Sequence, residues 1–86
     1  MSKSNDVFKT DKPLIAHSIE YDISRLSNGL KENLNILHMY DNGGDWFNYD
    51  NKFIEVDIQA KSYYRNSIIT EYDYKIILRK YGWIYD

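Results

Sequence analysis

Two histidines are the side chains best suited to acid–base chemistry near neutral pH. His17 lies three residues before Glu20 and four before Tyr21, which is the spacing of a surface contact on a helix. His38 lies three residues before Asp41, close to a predicted helix end where a partly positive imidazole is favoured. A general base also needs a nucleophile or substrate within reach, and no serine or threonine stands in a recognised catalytic pattern. We therefore predict no catalytic residues and a chain that acts by binding.

Phosphate and metal sites are not indicated by the spacing of the glycines and acidic residues. Gly43-Gly44 is a lone pair with no Lys-Ser or Lys-Thr after it, so it predicts a turn. A group of oxygen-bearing side chains near it does not have the EF-hand spacing for calcium. These residues are Asp41, Asn42, Asp45, Asn48 and Asp50. With no cysteine in the chain, thiolate sites and disulfides are excluded, and we predict no metal and no cofactor.

Charge argues against nucleic acid as a direct partner. The chain has 13 acidic and 11 basic residues and a formal net charge of −2, without the clustered Lys and Arg that a phosphate backbone requires. The segment from Glu32 to Asp57 is the acidic part, with Lys52 as its one basic residue. We predict that it steers a basic protein partner. The predicted steering residues are Asp41, Asp45, Asp50, Glu55 and Asp57.

The elements that position these residues begin after a polar tail. Residues 1–11 show no periodicity and predict a flexible tail, which leaves 12–86 as a single domain. No run of about 18 apolar residues occurs, so we predict a cytoplasmic protein without a membrane segment.

A long apolar stripe predicts an N-terminal helix over about 13–41. Its members recur at steps of three and four residues. They are Ile15, Ile19, Ile23, Leu26, Leu30, Leu34 and Leu37. Pro13 suits the first turn of such a helix, and Gly43-Gly44 ends it. Gly29 costs about 1 kcal/mol relative to alanine inside a helix and marks where a kink or break would fall.

Beyond Gly44 the chain is rich in β-branched and aromatic residues, and apolar side chains alternate with polar ones at 54–60 and 72–78. A turn at 65–67 would pair Val56 with Ile76 and bring apolar residues together on one face. The pattern predicts strands at about 46–49, 52–64, 68–79 and 83–85. The predicted fold class is α+β, with the N-terminal helix packed on an antiparallel β-meander of three to four strands.

An alternative interpretation makes 70–81 a helix in an all-α helical bundle. Thr70 would be its N-cap, Glu71 and Asp73 would lie in its first turn, and Gly82 would end it. This alternative explains the capping residues but gives up the register between the two strands.

Fourteen aromatic residues, nine of them tyrosines, exceed what one small core needs, and Tyr and Trp are enriched where proteins bind partners. In the predicted meander, apolar side chains from four strands share the outer face. They are Trp46, Phe53, Ile77, Trp83 and Tyr85. We predict that this face binds another protein, in the manner of a small inhibitor, immunity protein or regulatory adaptor. The alternatives are a structural homo-oligomer, such as a homodimer, that uses the same patch, and an enzyme with a site around His38, Tyr40 and Asp41.

Overall fold

The computed structural model describes residue 10 and residues 12–85, and within these the chain forms three α-helices. They are α1 (Asn28–Gly43), α2 (Trp46–Arg65) and α3 (Glu71–Gly82), preceded by a 3-10 turn at Ile23–Arg25. The long central helix α2 packs against both α1 and α3. The predicted tail at 1–11 lies outside the described residues except for Thr10.

The predicted β-meander is wrong, because the described residues contain no β-strand and the fold is all-helical. The predicted strands at 46–49 and 52–64 are one continuous helix, α2, and most of 68–79 is α3. Val56 and Ile76 therefore do not pair across a sheet. The alternative prediction of an all-α bundle with a helix at 70–81 agrees with the structure.

Helix α2 shows why the alternating pattern was misleading. Successive alternate residues on a helix lie about 200° apart, so an alternating run can divide between two opposite sides. Ile54 and Ile58 lie on the exposed side of α2, whereas Val56 and Ala60 lie in the core. Asp45 caps the helix by accepting a hydrogen bond from the backbone N–H of Asn48.

Helix α1 contains only the second half of the predicted apolar stripe. Leu30, Leu34 and Leu37 are fully buried along one side of it. The helix ends at Gly43 and is capped by Gly44, whose φ of 65° is left-handed. A Cβ there would lie 2.2 Å from the carbonyl oxygen of Thr10, so the turn into α2 requires glycine.

Helix α3 is fixed at its start by a capping box. The hydroxyl of Thr70 accepts a hydrogen bond from the Asp73 N–H, and the Asp73 carboxylate accepts one from the Thr70 N–H. Ile77 and Tyr81 turn into the core from the same helix. These are the local signals that the alternative prediction used, and they outweigh strand propensity here.

The predicted helix at 13–41 is wrong in its first half, since α1 begins at Asn28, next to the predicted weak point at Gly29. Residues 12–22, here called the N-terminal segment, are irregular. The carboxylate of Asp41 accepts hydrogen bonds of 2.7 and 3.2 Å from the N–H groups of Leu14 and Ile15. These N–H groups are thus satisfied without a helical turn.

The core lies between the three helices and the N-terminal segment. Its side chains come from all four parts of the chain. They are Ile15, Leu26, Leu30, Leu34, Leu37, Tyr49, Val56, Ala60, Ile69, Ile77 and Tyr81. The packing fixes the C-terminal end of α3 against α2 and the N-terminal segment, where the candidate site lies.

None of the helices within residues 12–85 combines the length and the apolar character needed to cross a bilayer.

Candidate protein-binding surface

The sheet that was expected to group the five aromatic and apolar site residues does not exist, so each has its own environment. Ile77 is fully buried in the core and belongs to no surface. Phe53 is partly buried against Gly82. Trp46, Trp83 and Tyr85 are exposed. The structure brings Phe53 and Trp83 together in one shallow groove.

This groove, called the Trp83 groove below, lies between the N-terminal half of α2, the end of α3 and the N-terminal segment. It has a volume of about 160 Å³. Its walls are formed by Pro13, Leu14, Asp50, Phe53, Gly82 and Trp83. Tyr49 and Tyr81 also line it. Four of its six wall residues are apolar side chains, and one is a carboxylate.

Close packing at Gly82 shapes one wall of the groove. A Cβ at this position would lie 2.3 Å from Cζ of Phe53, which is far inside van der Waals contact. The ring of Phe53 therefore lies directly on the backbone of α3. The φ of Gly82 is not left-handed, so backbone conformation does not require glycine here. The close approach of Phe53 does require it.

Trp83 occupies the left-handed position at the end of α3, where glycine is the preferred residue. Its φ is 56°, and this conformation costs a residue with a Cβ about 1 kcal/mol or more. The indole Nε1–H donates a 2.8 Å hydrogen bond to the carbonyl oxygen of Leu14, which fixes the direction of the ring. Half of the residue's surface stays exposed. A large aromatic face is thereby held toward solvent at a strained position.

The groove rests on two buried tyrosines. The hydroxyl of Tyr49 donates a 2.6 Å hydrogen bond to the carbonyl oxygen of Tyr81, which joins α2 to α3 beneath Trp83. Burial raises the pKa of both phenols, that of Tyr81 to about 12. Both rings are neutral at physiological pH and form a rigid support.

The five predicted steering carboxylates have different surroundings. Asp41 is almost buried and holds the N-terminal segment, and Asp45 caps α2. Glu55 pairs with Lys52 at 3.3 Å. Asp50 is exposed in the wall of the groove and makes no ion pair within the described residues. Asp57 lies two helical turns farther along the same side of α2 as Asp50.

Two further aromatic contacts involve Trp46 and Tyr85, the predicted site residues that are exposed outside the groove. Trp46 lies one turn before Asp50 on α2, and its ring meets that of Phe47 edge to face at 6.0 Å. The guanidinium of Arg79 lies 6.0 Å from the ring centre of Tyr85, close to the limit for a cation–π contact. Exposed aromatic side chains thus lie on the first turn of α2, at Trp46, and just beyond the end of α3, at Tyr85.

The structure explains the histidines as parts of the packing at the ends of α1 and α3. Nε2 of His17 lies 2.6 Å from the Asp41 carboxylate, and Nε2 of His38 lies 2.8 Å from the hydroxyl of Tyr81. Burial, together with Lys80 and His17, lowers the pKa of His38. Tyr40 packs against the core beside them. Within the described residues no group of three or more His, Cys, Asp or Glu side chains could hold a metal ion.

A second exposed apolar feature lies on α2 opposite its buried side. Ile54 and Ile58 are one helical turn apart there, and 59% and 65% of their surfaces are exposed. Sequence reasoning placed both residues in the core, because it used the period of a strand. The period of a helix places them on the opposite side from Val56 and Ala60.

Comparison with protein-family models, with curated protein sequences and with solved structures gave no match to this chain. Function is therefore inferred from the geometry of the groove and its surroundings.

Proposed function

We propose that this protein acts by stoichiometric binding to another protein, as an inhibitor, immunity protein or regulatory adaptor does, and not by catalysis. The Trp83 groove and the exposed side chains of Trp46 and Tyr85 form the proposed contact surface. The observation that carries the proposal is the exposed indole of Trp83, fixed in direction by its hydrogen bond to Leu14. A rigid, half-exposed Trp is the type of side chain that anchors protein interfaces.

The charge of the proposed partner is inferred from two acidic residues on one side of α2, one of which lines the groove. The negative charges of Asp50 and Asp57 favour a partner whose contact face is basic. Charge complementarity of this kind mainly raises the association rate. Steering of this kind weakens at higher ionic strength. We keep the cytoplasm as the proposed compartment, as expected from the sequence.

Charge reversal in the groove tests this proposal without removing a packing residue. We expect the protein, used as bait in an extract of its native cells, to retain a partner in a fixed stoichiometric ratio. Asp50→Lys should reduce retention at least tenfold, while circular dichroism and the free energy of unfolding stay unchanged because Asp50 is exposed. Tyr85→Ala should also weaken retention.

A matched control distinguishes an effect of the groove from an effect of the protein's net charge. Glu32→Lys makes the same change in charge on an exposed position of α1 and should leave retention intact. Equal retention by the Asp50→Lys protein would contradict the proposal, and so would the absence of any partner retained in a defined ratio.

A structural homodimer is a second candidate, supported by the exposed pair Ile54 and Ile58. Along this side of α2 the acidic residues Asp50 and Asp57 come first, and the basic residues Lys61 and Arg65 follow toward the end of the helix. An antiparallel pairing of two α2 helices would place these opposite charges together. Sedimentation at micromolar concentration should then show a dimer that Ile58→Lys dissociates, and a monomer at all concentrations would contradict it.

A further inference from the structure

The size of the Trp83 groove limits what it holds. Its volume of about 160 Å³ is well below the roughly 300 Å³ at which pockets for small-molecule ligands begin. It is partly open to solvent, and Phe53 and Trp83 are among the residues that line it. A cavity of this size and shape accommodates one side chain of a partner protein.

The chemistry of the walls selects the kind of side chain. Phe53 and Trp83 supply aromatic rings, and Asp50 supplies a carboxylate that has no ion-pair partner within the described residues. A guanidinium group can contact both the rings and the carboxylate, because it stacks on aromatic rings and forms paired hydrogen bonds with carboxylates. An ammonium group is more strongly hydrated and lacks the planar stacking surface.

The strained backbone at Trp83 is an independent reason to assign this position to binding. Glycine at 83 would relieve the left-handed conformation of φ 56°. The tryptophan present there lines the same groove as Asp50. Strain of this kind concentrates at sites that recognise ligands.

We propose that the Trp83 groove receives one arginine side chain of the partner protein, with the guanidinium between the indole of Trp83 and the carboxylate of Asp50. This inference rests on the proposed protein-binding function and specifies what the partner must present. The aliphatic part of the arginine lies along Leu14 and Phe53.

A capped tripeptide, acetyl-Gly-Arg-Gly-amide, is the probe. It is titrated into the full-length protein labelled with nitrogen-15, and the indole Nε1–H signal of Trp83 is followed by NMR. Trp46→Phe assigns that signal, since the chain has two tryptophans. We expect a saturable shift with a dissociation constant of about 1 to 10 mM, as one side chain makes few contacts.

Two comparisons decide whether the shift reports a guanidinium on Asp50. The same peptide with citrulline, which has nearly the same shape but no charge, should bind at least tenfold more weakly. Asp50→Asn should weaken the arginine peptide at least tenfold, while Glu32→Gln, with the same change in charge elsewhere, should leave the constant unchanged. A citrulline peptide that binds equally, or an Asp50→Asn protein that binds normally, overturns the proposal.

A lysine peptide that binds as tightly as the arginine peptide would overturn the assignment to arginine. If the arginine peptide does not bind but Asp50→Lys still abolishes capture of a partner, the arginine assignment is wrong and the proposed function stands. If the peptide binds and no partner is captured, the proposed function is wrong instead.

Discussion

The hydroxyl of Tyr21 donates a 2.7 Å hydrogen bond to the buried carboxylate of Asp73, 52 residues later in the chain. The guanidinium of Arg25 donates to the same carboxylate oxygen, and Thr70 donates to the other one. Asp73 therefore holds the end of the N-terminal segment against the first turn of α3. A buried acid with this many donors is ionised in the folded protein.

Stability should fall in acid because of Asp73. Burial would raise its pKa, but the hydrogen bonds from Arg25, Tyr21 and Thr70 outweigh burial and lower it from 3.8 to about 2. The folded-state pKa is below the unfolded one, so this contribution is complete above about pH 4 and is lost as the pH falls toward 2. It corresponds to about 2 kcal/mol. Urea unfolding of the wild type and of Asp73→Asn should show the difference at pH 7.

The control for Asp73 is Asp50→Asn, which removes an exposed carboxylate. It should leave the free energy of unfolding at pH 7 nearly unchanged. An Asp73→Asn protein that is as stable as the wild type at pH 7 would contradict the role given to this carboxylate.

His38 should make stability fall between neutral and mildly acidic pH. Its pKa is lowered from 6.5 by burial and by Lys80 and His17, with Asp41 opposing them. The unfolded chain therefore takes up a proton at higher pH than the folded protein, and stability decreases as the pH falls below 6.5. His38→Gln should show a smaller decrease between pH 7.5 and 5 in urea unfolding. A slope equal to that of the wild type would show that other groups cause it.

The two glycines at helix ends form a matched pair. Gly82→Ala should lower the free energy of unfolding by about 1 to 3 kcal/mol, because its Cβ would overlap Phe53. Gly43→Ala places the same methyl group where no described atom lies within 4 Å. It should raise stability by up to about 1 kcal/mol through helix propensity. Equal effects of the two substitutions in chemical denaturation would contradict the packing at Phe53.

Two isoleucines test the orientation of the helices. Ile77→Ala removes a fully buried side chain and should cost about 2 to 5 kcal/mol. Ile58→Ala makes the same change at an exposed position and should change stability by less than about 0.5 kcal/mol. In the predicted sheet Ile58 was a core residue and Ile77 an outer one, so the opposite ranking would support the sheet.

The sequence contains local signals that predict a helix at α3. For α2 the sequence pattern fits a strand as well as a helix. Thr70, Asp73 and the basic last turn of α3 form a local pattern that acts through neighbouring backbone groups. In α2 the alternation from Ile54 to Ala60 fits a strand and also fits a helix with two opposite apolar sides. Packing against both α1 and α3 decides between them, and that information is not local.

The irregular N-terminal segment could not have been predicted from its own residues. Ile15, Ile19 and Ile23 have helical spacing, but Leu14 and Ile15 donate to Asp41, 27 and 26 residues away. A buried carboxylate at the end of α1 satisfies these groups in place of a helical turn. Sequence spacing carries no information about such a distant acceptor.

Part of the candidate site was predicted for a wrong reason. Phe53 and Trp83 were grouped through neighbouring strands, and the structure brings them together through Gly82 instead. Leu14 and Pro13 were missed, because their helix was expected to pack elsewhere. The left-handed conformation of Trp83 has no signal in the sequence, since glycine is the residue that normally marks it.

The backbone of the N-terminal segment is irregular, yet hydrogen bonds join it to both α1 and α3. The amide hydrogens of Leu14 and Ile15 are donated to Asp41, and that of Ala16 to the carbonyl oxygen of Lys80. Exchange with solvent deuterium requires that the segment detach from α1 for the first two hydrogens and from α3 for the third. The loop that borders the groove is accordingly ordered before any binding, so a partner of the proposed kind would lose little conformational entropy there.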